Sequence, residues 1–478
     1  MRTGLAALAA AALALPTFAP GTFAQPASVQ PGPASPPAEE ARTETSDQAA
    51  AQDAEREPSV APLLGPVGNL FGLRDAAEAR GLEFSVTYIG EVLRNASGGA
   101  RRGSAYEGRV DLQADLDLGR AVGWEGAKIH ANLFAIHGRG LSRGYAGNIL
   151  TISGIEALPS TRLYELWFEQ SFRGGSIRIG QLAADTEFQV SEYGALFVNS
   201  TFGWPASSGA NLPSGGPAYP LATPGVRLRL DPAEGWTILA GAFNGDPAGA
   251  GEEDPQRRNR DGLRFRLRDE PFVIAEAQYA YGRGGLAGRV NLGAWYHFGR
   301  FPDPRFTQDG LSLADPEAGG SARLRRGNHG LYAGVDQAVW RGEGDARVGV
   351  FARAGASPGD RNLVSLYADG GIVAKGLVPG RPDDTFGLAA AYARLGGATR
   401  GLDRDARLFG TPDAPVRSSE VLIEATYQAS VVPGWTVQPV LQRVIRPGGG
   451  AMAARAEGDP PRRARDATVI GLRTAIRF

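Results

Sequence analysis

The segment Arg109-Val-Asp-Leu-Gln-Ala-Asp-Leu-Asp-Leu118 alternates polar and apolar side chains without interruption. Because successive side chains of a β-strand point to opposite faces, Arg109 and Asp111 share one face with three further polar residues. The opposite face consists only of Val, Leu and Ala. A soluble two-layer sheet does not require so sharp a division. The segment therefore indicates a sheet that has water on one side and an apolar medium on the other.

The same alternation recurs along the chain. It is found in Tyr164–Glu169, where Glu165, Trp167 and Glu169 share a face; in Val226–Leu230, with Arg227 and Arg229; and in Leu263–Leu267, with Arg264 and Arg266. About 16 or 17 candidate strands follow Gly81, which suits a large barrel. We predict an all-β fold, a transmembrane antiparallel β-barrel of about 16 strands, preceded by one short helix over Asn69–Arg80. A soluble β-sandwich or β-helix would show shorter strands or a repeat of fixed length, and the sequence has no such repeat.

The chain ends in Thr468-Val-Ile-Gly-Leu-Arg-Thr-Ala-Ile-Arg-Phe478. Apolar side chains, among them Ile470 and the terminal Phe478, share one face, whereas Arg473 and Arg477 point the other way. An amphipathic last strand that ends on an aromatic residue is typical of the closing strand of an outer-membrane barrel. The alternative is an ordinary final strand of a soluble sheet with one buried face.

The N-terminus has the features of an export signal. Arg2 precedes an apolar stretch from Leu5 to Leu15, and Thr22-Phe-Ala24 resembles a cleavage site. We predict a signal peptide over residues 1–24 and a disordered periplasmic tether, rich in Pro, Ala and Glu, over residues 25–62. The tether could instead contact the cell wall. The barrel then occupies residues 63–478, in the outer membrane of a bacterial cell.

Composition excludes several classes of protein. The chain has no cysteine, and therefore no disulfide, thiolate zinc site or thiol nucleophile. A net charge of −1 argues against a nucleic-acid partner that is bound through its phosphates. Lys128 and Lys375 are the only lysines, so nearly all positive charge is arginine, whose planar group suits hydroxyl-rich and anionic ligands.

Several ordered motifs resemble one known family. The most distinctive is Gly180-Gln-Leu-Ala-Ala-Asp185, followed by Glu187-Phe188 and by Tyr193-Gly-Ala-Leu-Phe-Val-Asn-Ser-Thr-Phe-Gly203. Further motifs, in chain order, are Pro217–Pro220 leading to Gly225, Gly241–Pro247, Gly330–Gln337, Gly376–Asp383, Pro433–Pro439, Gln442 and Arg446–Gly449. Together they resemble the OprB-type carbohydrate-selective porin family over residues 64–478.

The resemblance implies a monomeric barrel of 16 strands in the outer membrane, through which sugars diffuse past a charged constriction. Its partners would be carbohydrate solutes, outer-membrane lipid and lipopolysaccharide, and the assembly machinery that engages the last strand. No cofactor, metal or nucleic acid is expected. The long tether and the scarcity of lysine are departures from the family pattern.

Enzymatic motifs are weak. Gly140-Leu-Ser-Arg-Gly144 matches the pattern of a nucleophile elbow, but it lies in a glycine-rich connection rather than in a strand-to-helix turn. The four histidines lack metal-ligand spacing. We predict that the protein is not an enzyme.

Aromatic residues close several of the predicted strands. They include Trp295-Tyr-His-Phe298, Tyr279, Tyr281, Trp340 and Trp435. Girdles at the two lipid interfaces would use them, and so would an apolar core.

A long segment, Ala183 to Pro220, separates two predicted strands and carries Asp185, Glu187, Glu192 and Asn199. We predict that it folds into the lumen; an external lid is the alternative. The candidate pore-lining residues are Arg109, Asp111, Glu165, Trp167, Glu169, Arg178, Asp185, Glu187, Arg227 and Arg229. For each of them the alternative is a solvated lumen side chain with no selective role, and for Trp167 it is a girdle or packing residue.

The leading hypothesis is a passive carbohydrate channel. A general or differently selective porin on the same barrel is the second hypothesis. A non-conducting surface or adhesion barrel is the third.

Overall fold

A computed structural model describes residues 58–283, 286–453 and 462–478. Sixteen antiparallel strands form one closed barrel, in which each strand pairs with its neighbour in sequence and β1 pairs with β16. The strands are β1 Leu82–Gly99, β2 Gly103–Asp117, β3 Ala127–Gly138, β4 Ser160–Phe172, β5 Gly175–Leu182, β6 Thr223–Ala233, β7 Trp236–Phe243, β8 Phe272–Arg283, β9 Leu286–Thr307, β10 Ala322–Arg341, β11 Arg347–Ala356, β12 Val364–Lys375, β13 Thr385–Leu395, β14 Ser419–Val432, β15 Trp435–Ile445 and β16 Arg465–Arg477. The predicted fold class is confirmed.

The two faces of the strands differ as predicted. On β2 the side chain of Leu112 is 41% exposed on the outer face, whereas Asp111 is buried on the inner face. The last strand behaves in the same way, with Ile470 and Leu472 exposed outside and Arg473 turned to the lumen, where it contacts Glu91. Apolar side chains thus cover the outside of the barrel. The inside carries the charged side chains of the strands together with apolar side chains that pack against the loops.

The barrel has two unlike rims. At one rim the strands are joined by short connections, three of them two residues long and closed by Gly174, Gly235 or Gly434 at φ values of 80°, 77° and 82°. Glycine adopts this left-handed conformation without a steric penalty. Both described ends of the chain lie at this short-turn rim. The opposite, long-loop rim carries most of the long connections, which in this class of barrel face outward from the cell.

Helices are few and short. They are α1 Leu73–Glu78, α2 Leu118–Val122, α3 Ala206–Gly209, α4 Pro255–Arg258, α5 Gly397–Leu408 and α6 Pro447–Gly450, with 3-10 turns at Ala61–Leu64, Leu70–Gly72, Gly194–Leu196, Ser200–Phe202 and Pro213–Gly215, and a π turn at Ser142–Ala146. No helix in the described ranges is both long and apolar enough to cross a membrane.

The helix expected before the barrel is present as α1. The predicted signal peptide and most of the predicted tether lie outside the described residues. Near the start of the described residues, Val60 donates its N–H to the carbonyl of Arg477 at 2.8 Å, and Ala61 is buried. The boundary at residue 62 stays a prediction, with a contact to the last strand just before it.

The aromatic girdle is present at the short-turn rim. Trp236, Tyr279, Trp340 and Trp435 are each 37–46% exposed on the outer face. Trp295 follows the alternative, an apolar core, since only 4% of it is exposed and it packs inside the barrel with Phe272. Its neighbours on β9 alternate, so Tyr296 and Phe298 take the outer face instead.

The strand predicted at Leu263–Leu267 is wrong. These residues form an irregular segment of the connection between β7 and β8. The apolar alternation is real, because Leu263, Phe265 and Leu267 are 51–81% exposed. Alternation reports only that one face is apolar, and this segment has no strand to pair with among the described residues. Just before it, the carbonyl of Asp261 accepts from the N–H of Leu163 on β4 at 2.9 Å.

Candidate functional site

The connection between β5 and β6, residues 183–222, is here called the inner loop. It folds into the lumen and is held by acidic side chains from distant strands. Glu276 on β8 accepts from the N–H of Gln189 at 2.8 Å, and Glu424 on β14 accepts from the N–H of Val198 at 2.7 Å. Asp336 on β10 accepts from the Ser191 hydroxyl at 2.5 Å. The predicted inward position of the loop is therefore observed, and the external lid is not.

Arg353 on β11 is the main anchor of the inner loop. Its guanidinium donates to the carbonyls of Gln189 at 2.6 Å and Phe202 at 2.7 Å, as well as to two other loop carbonyls. Asp369 on β12 balances its charge, with an N–O distance of 2.6 Å. One buried cation therefore satisfies backbone carbonyls that an irregular loop would otherwise leave unpaired.

The β3–β4 connection also enters the lumen. Glu420 on β14 accepts from the N–H groups of Ile149 and Leu150, and Gln442 on β15 donates to the carbonyl of Ile152. Apolar side chains of both connections then pack into one cluster with the inner surface of the barrel. These connections therefore pack against the inner faces of β11 to β16 and of β1 and β2.

Four charged residues meet on the other side of the lumen, and all four are predicted site residues. Arg227 on β6 donates to Glu169 at 2.5 Å and to Glu187 of the inner loop at 2.8 Å. Arg178 on β5 contacts the same two carboxylates at 2.9 and 3.4 Å. The set of Glu169, Arg178, Glu187 and Arg227, here called the charge quartet, is electrically balanced and ties the start of the inner loop to the barrel.

Trp167 adjoins the charge quartet. The guanidinium carbon of Arg178 lies 3.7 Å from the centroid of its ring, and the His130 ring stacks on it at 4.7 Å with an interplanar angle of 18°. Only 7% of the tryptophan is exposed. The structure thus places Trp167 in the lumen rather than in a lipid girdle, but its ring is covered unless Arg178 moves.

Arg109 and Asp111 form a second charged pair on β2, 3.4 Å apart. The guanidinium of Arg109 lies over the rings of Phe134 on β3 and Tyr219 of the inner loop, 4.5 and 5.1 Å from their centroids. Asp111 also accepts from the Asn132 amide at 3.0 Å. The pair therefore links the barrel to the C-terminal end of the inner loop.

The remaining predicted site residues occupy different positions. Asp185 is a half-buried residue that holds the inner loop together, accepting from the Tyr164 hydroxyl at 2.9 Å and from the N–H of Tyr219 at 2.8 Å. Glu165 accepts from the N–H of Ala183 at 2.9 Å and forms no ion pair with an arginine of the described residues. Arg229 lies apart from the quartet, toward the short-turn rim, and pairs with Asp231 at 3.1 Å.

A cavity of about 670 Å³ opens between four connections at the long-loop rim. Its lining includes Arg101, Arg139 and Arg143 with Trp204 and Tyr219. Arg143 forms a short ion pair with Asp254 across two of the connections. The cavity is large enough for a small hydrated solute, and Tyr219 in its lining contacts Arg109 of the barrel wall.

The enzymatic motif is structural. The Ser142 hydroxyl donates to Glu156 at 2.8 Å and accepts from the N–H of Ile152 at 2.8 Å, so it serves the loop and no histidine. Among the described residues no group of histidine and acidic side chains could hold a metal ion.

The inward acidic residues and Arg353 were missed in the sequence. Glu276 and Asp336 are the only acidic residues of β8 and β10, and Glu420 and Glu424 are separated from each other on β14 by Val421-Leu-Ile423. That isolation is a signal, because a lone buried charge needs a partner. The sequence does not say which loop atoms supply it.

Comparisons with known proteins agree with this architecture. The family model described as carbohydrate-selective porin, OprB family, matches residues 101–478. Porin B of Pseudomonas aeruginosa is 26% identical over 412 residues, which cover 80% of this chain and 87% of that protein. The high-pH structure of Pseudomonas putida OprB superimposes with a TM-score of 0.76 at 21% identity, covering 86% of this chain and 97% of that one. The low-pH structure of the same protein gives 0.52 at 16% identity.

A closed barrel of 16 strands with an apolar outside, a charged lumen and a loop folded inside defines a porin of the outer membrane. More particularly, the chain belongs to the carbohydrate-selective porin family OprB.

Proposed function

We propose that carbohydrates diffuse passively through the part of the lumen that the loops leave open, along the inner faces of β2 to β6. The observation that carries this proposal is the balanced wall formed there by the charge quartet and the Arg109–Asp111 pair. On the opposite side of the lumen, loop backbone is anchored on buried acids and on Arg353. Solutes that enter the cavity at the long-loop rim would descend along the charged wall.

The chemistry of this wall suits sugars. Guanidinium groups donate and carboxylates accept, so together they can replace part of the water around a solute with many hydroxyls. Apolar solutes gain nothing from such groups. Balanced charge leaves little net field for or against ions, and weak binding lets the solute leave the pore. Aromatic stacking on a sugar ring is better supported at Tyr219, which lines the cavity, than at the covered Trp167.

The test is single-channel recording of the full mature chain in a planar bilayer. We expect open-channel conductance, and transient block of the ion current by mono- and disaccharides added in increasing concentration. Zwitterionic solutes of similar size should block less. Equal block by sugars and zwitterions would instead identify a general porin, and a barrel without conductance would support the surface or adhesion role.

The address and assembly of the protein are part of the proposal. Residues 1–24 would direct export and be removed, residues 25–62 would act as a periplasmic tether, and the barrel would be a monomer surrounded by lipid and lipopolysaccharide. The assembly machinery would recognise the last strand, whose Phe478 N–H donates to the carbonyl of Val86 at 2.8 Å. Deleting Phe478 should lower the amount of heat-modifiable barrel in the outer membrane. Normal levels without this residue would contradict recognition through it.

A further inference from the structure

Two arginines lie directly opposite each other on the outer face of the barrel. Arg300 on β9 and Arg326 on β10 are cross-strand partners, and both are exposed. On β9 the outward series that leads to Arg300 is apolar, with Val290 39%, Leu292 66% and Phe298 41% exposed. Within the described part of the chain neither guanidinium forms an ion pair or a side-chain hydrogen bond.

Such a pair is unfavourable without an added anion. Like charges at directly opposite positions of a sheet repel each other. Two other arginines at this rim are neutralised: Arg443, also outward, contacts Asp466 at 3.4 Å, and Arg325, next to Arg326, contacts Asp303 at 2.7 Å. The Arg300–Arg326 pair therefore presents two uncompensated charges to whatever surrounds the barrel.

The height of the pair places it at the boundary of the membrane. Val290 is level with Tyr279 of the girdle at the short-turn rim. With a rise of ~3.4 Å per residue and a tilt of ~40°, β9 climbs about 20 Å along the barrel axis from Val290 to Phe298 and about 26 Å to Arg300. The apolar band of such barrels is ~25 Å tall. The arginines thus lie at the headgroup level of the leaflet on the long-loop side.

The residues just below them form an interfacial cluster. Tyr296 packs edge-on against Phe298 with ring centroids 4.7 Å apart, and His329 stacks beside it at 6.5 Å. A Cβ added to Gly327 would lie 2.2 Å from the Tyr296 hydroxyl oxygen, so this hydroxyl reaches the residue next to Arg326. Aromatic rings with a polar tip favour the boundary between acyl chains and headgroups.

We propose that Arg300 and Arg326 bind the phosphate groups of lipopolysaccharide in the outer leaflet. Both guanidinium groups can grip phosphate oxygens through two parallel N–H donors. The acyl chains of the same glycolipid lie along the apolar rows below, where Leu292 and Leu331 are 66% and 65% exposed. The site belongs to the outer wall and does not depend on what passes through the lumen.

The experiment uses the full mature barrel, purified and refolded without lipopolysaccharide. Binding of bisphosphorylated lipid A is titrated by native mass spectrometry for the unmodified chain and for Arg300→Gln/Arg326→Gln. We expect the double variant to bind about tenfold to thirtyfold more weakly, because each charge near an anionic lipid surface contributes roughly a fivefold gain in affinity. Dephosphorylated lipid A should bind the unmodified chain as weakly as the variant binds lipid A.

The matched control is Arg341→Gln/Arg347→Gln. These arginines are also cross-strand partners, at the other end of β10, so the control removes the same charge from the opposite rim. Its affinity for lipid A should be unchanged, and heat-modifiable migration checks the folding of every variant. Equal affinity of the two double variants, or inorganic phosphate competing as well as lipid A, would overturn the proposal. The affinities of the single variants Arg300→Gln and Arg326→Gln for lipid A give a second measurement, and each should lie between those of the unmodified chain and the double variant.

Discussion

Arg473 on the last strand and Glu91 on the first strand form an ion pair across the seam that closes the barrel. Both the Nε–Oε1 and Nη2–Oε1 distances are short, at 2.7 and 2.6 Å. Glu91 is completely buried, so this carboxylate has no access to water. The seam is therefore closed by a charged contact in addition to the hydrogen bonds between β1 and β16.

We predict that Arg473→Met destabilises the barrel by about 3 kcal/mol, because a buried carboxylate is left without its counter-charge. Urea unfolding in lipid vesicles measures this change. Arg465→Met is the control, since Arg465 is exposed at the other end of the same strand. In the double variant Glu91→Gln/Arg473→Met part of the loss should return. An unchanged unfolding midpoint for Arg473→Met would show that the pair does not stabilise the seam.

Arg227 and Arg229 should differ, although they are two residues apart on one face. Arg227→Ala removes a positive partner from Glu169 and Glu187, so we expect weaker sugar block and an increase of about twofold in cation preference. Arg229→Ala affects only an exposed pair with Asp231 and should change both quantities less. Reversal potentials in a salt gradient and sugar titration of the current give the two readings. Equal effects would place both residues outside the narrow zone.

Arg353 should control the rigidity of the inner loop. In Arg353→Ala four loop carbonyls lose their donor and Asp369 loses its counter-charge. We expect the barrel to lose on the order of 3 kcal/mol of stability as a result. We expect higher and noisier open-channel current, with less discrimination between sugars by size. Arg353→Lys keeps the charge but loses the fork of donors, so it should be intermediate. A quiet, unchanged current in the alanine variant would refute the anchoring role.

The docking of α5 should depend on pH. Arg305 donates to Asp405 of this helix through two hydrogen bonds of 2.8 and 3.0 Å, which lower the pKa of that carboxyl below its ordinary value of about 4. The stabilisation is therefore complete above that ordinary value and disappears as the pH falls through the lowered pKa. Hydrogen exchange of residues 397–408, corrected for intrinsic rates, should show less protection at about pH 3 than at pH 7.

Asp405→Asn should produce the same loss of protection at pH 7, since it removes the charge that Arg305 engages. Asp413→Asn removes an exposed carboxylate from the same connection and serves as its control. Equal protection of the helix in both variants would contradict the role of the ion pair.

The strand faces could be predicted because a period of two is a local property. Arg109, Glu169, Arg178 and Arg227 were assigned to the lumen on this basis, and their contacts agree. The partners could not be predicted, because pairing depends on how far each strand rises in the barrel. Arg229 shares the face of Arg227 but lies further toward the short-turn rim, beyond the reach of Glu187.

The contacts that anchor the inner loop could not be predicted from the sequence. Arg353 stands in the segment Phe351-Ala-Arg-Ala-Gly355, which shows an inward charge but not the four carbonyls that it meets. Those carbonyls lie about 150 positions away in the chain, and no local pattern encodes such a contact. Leu263–Leu267 illustrates the converse, since an alternating pattern reports one apolar face but not a neighbouring strand to pair with.

That irregular segment has a practical consequence. Strands β5 and β7 have only 8 residues each, and β4 extends past the end of β5. The segment beyond Asp261 occupies the resulting notch, where Gln181 donates to the carbonyl of Gly262 at 3.0 Å. A loop rather than a strand thus separates the aqueous interior from the bilayer at this position. Peptides displayed on this scaffold should be inserted in the exposed connection at residues 308–321, and residues 261–269 should be left intact. An insertion in residues 261–269 would open the barrel wall between the lumen and the bilayer.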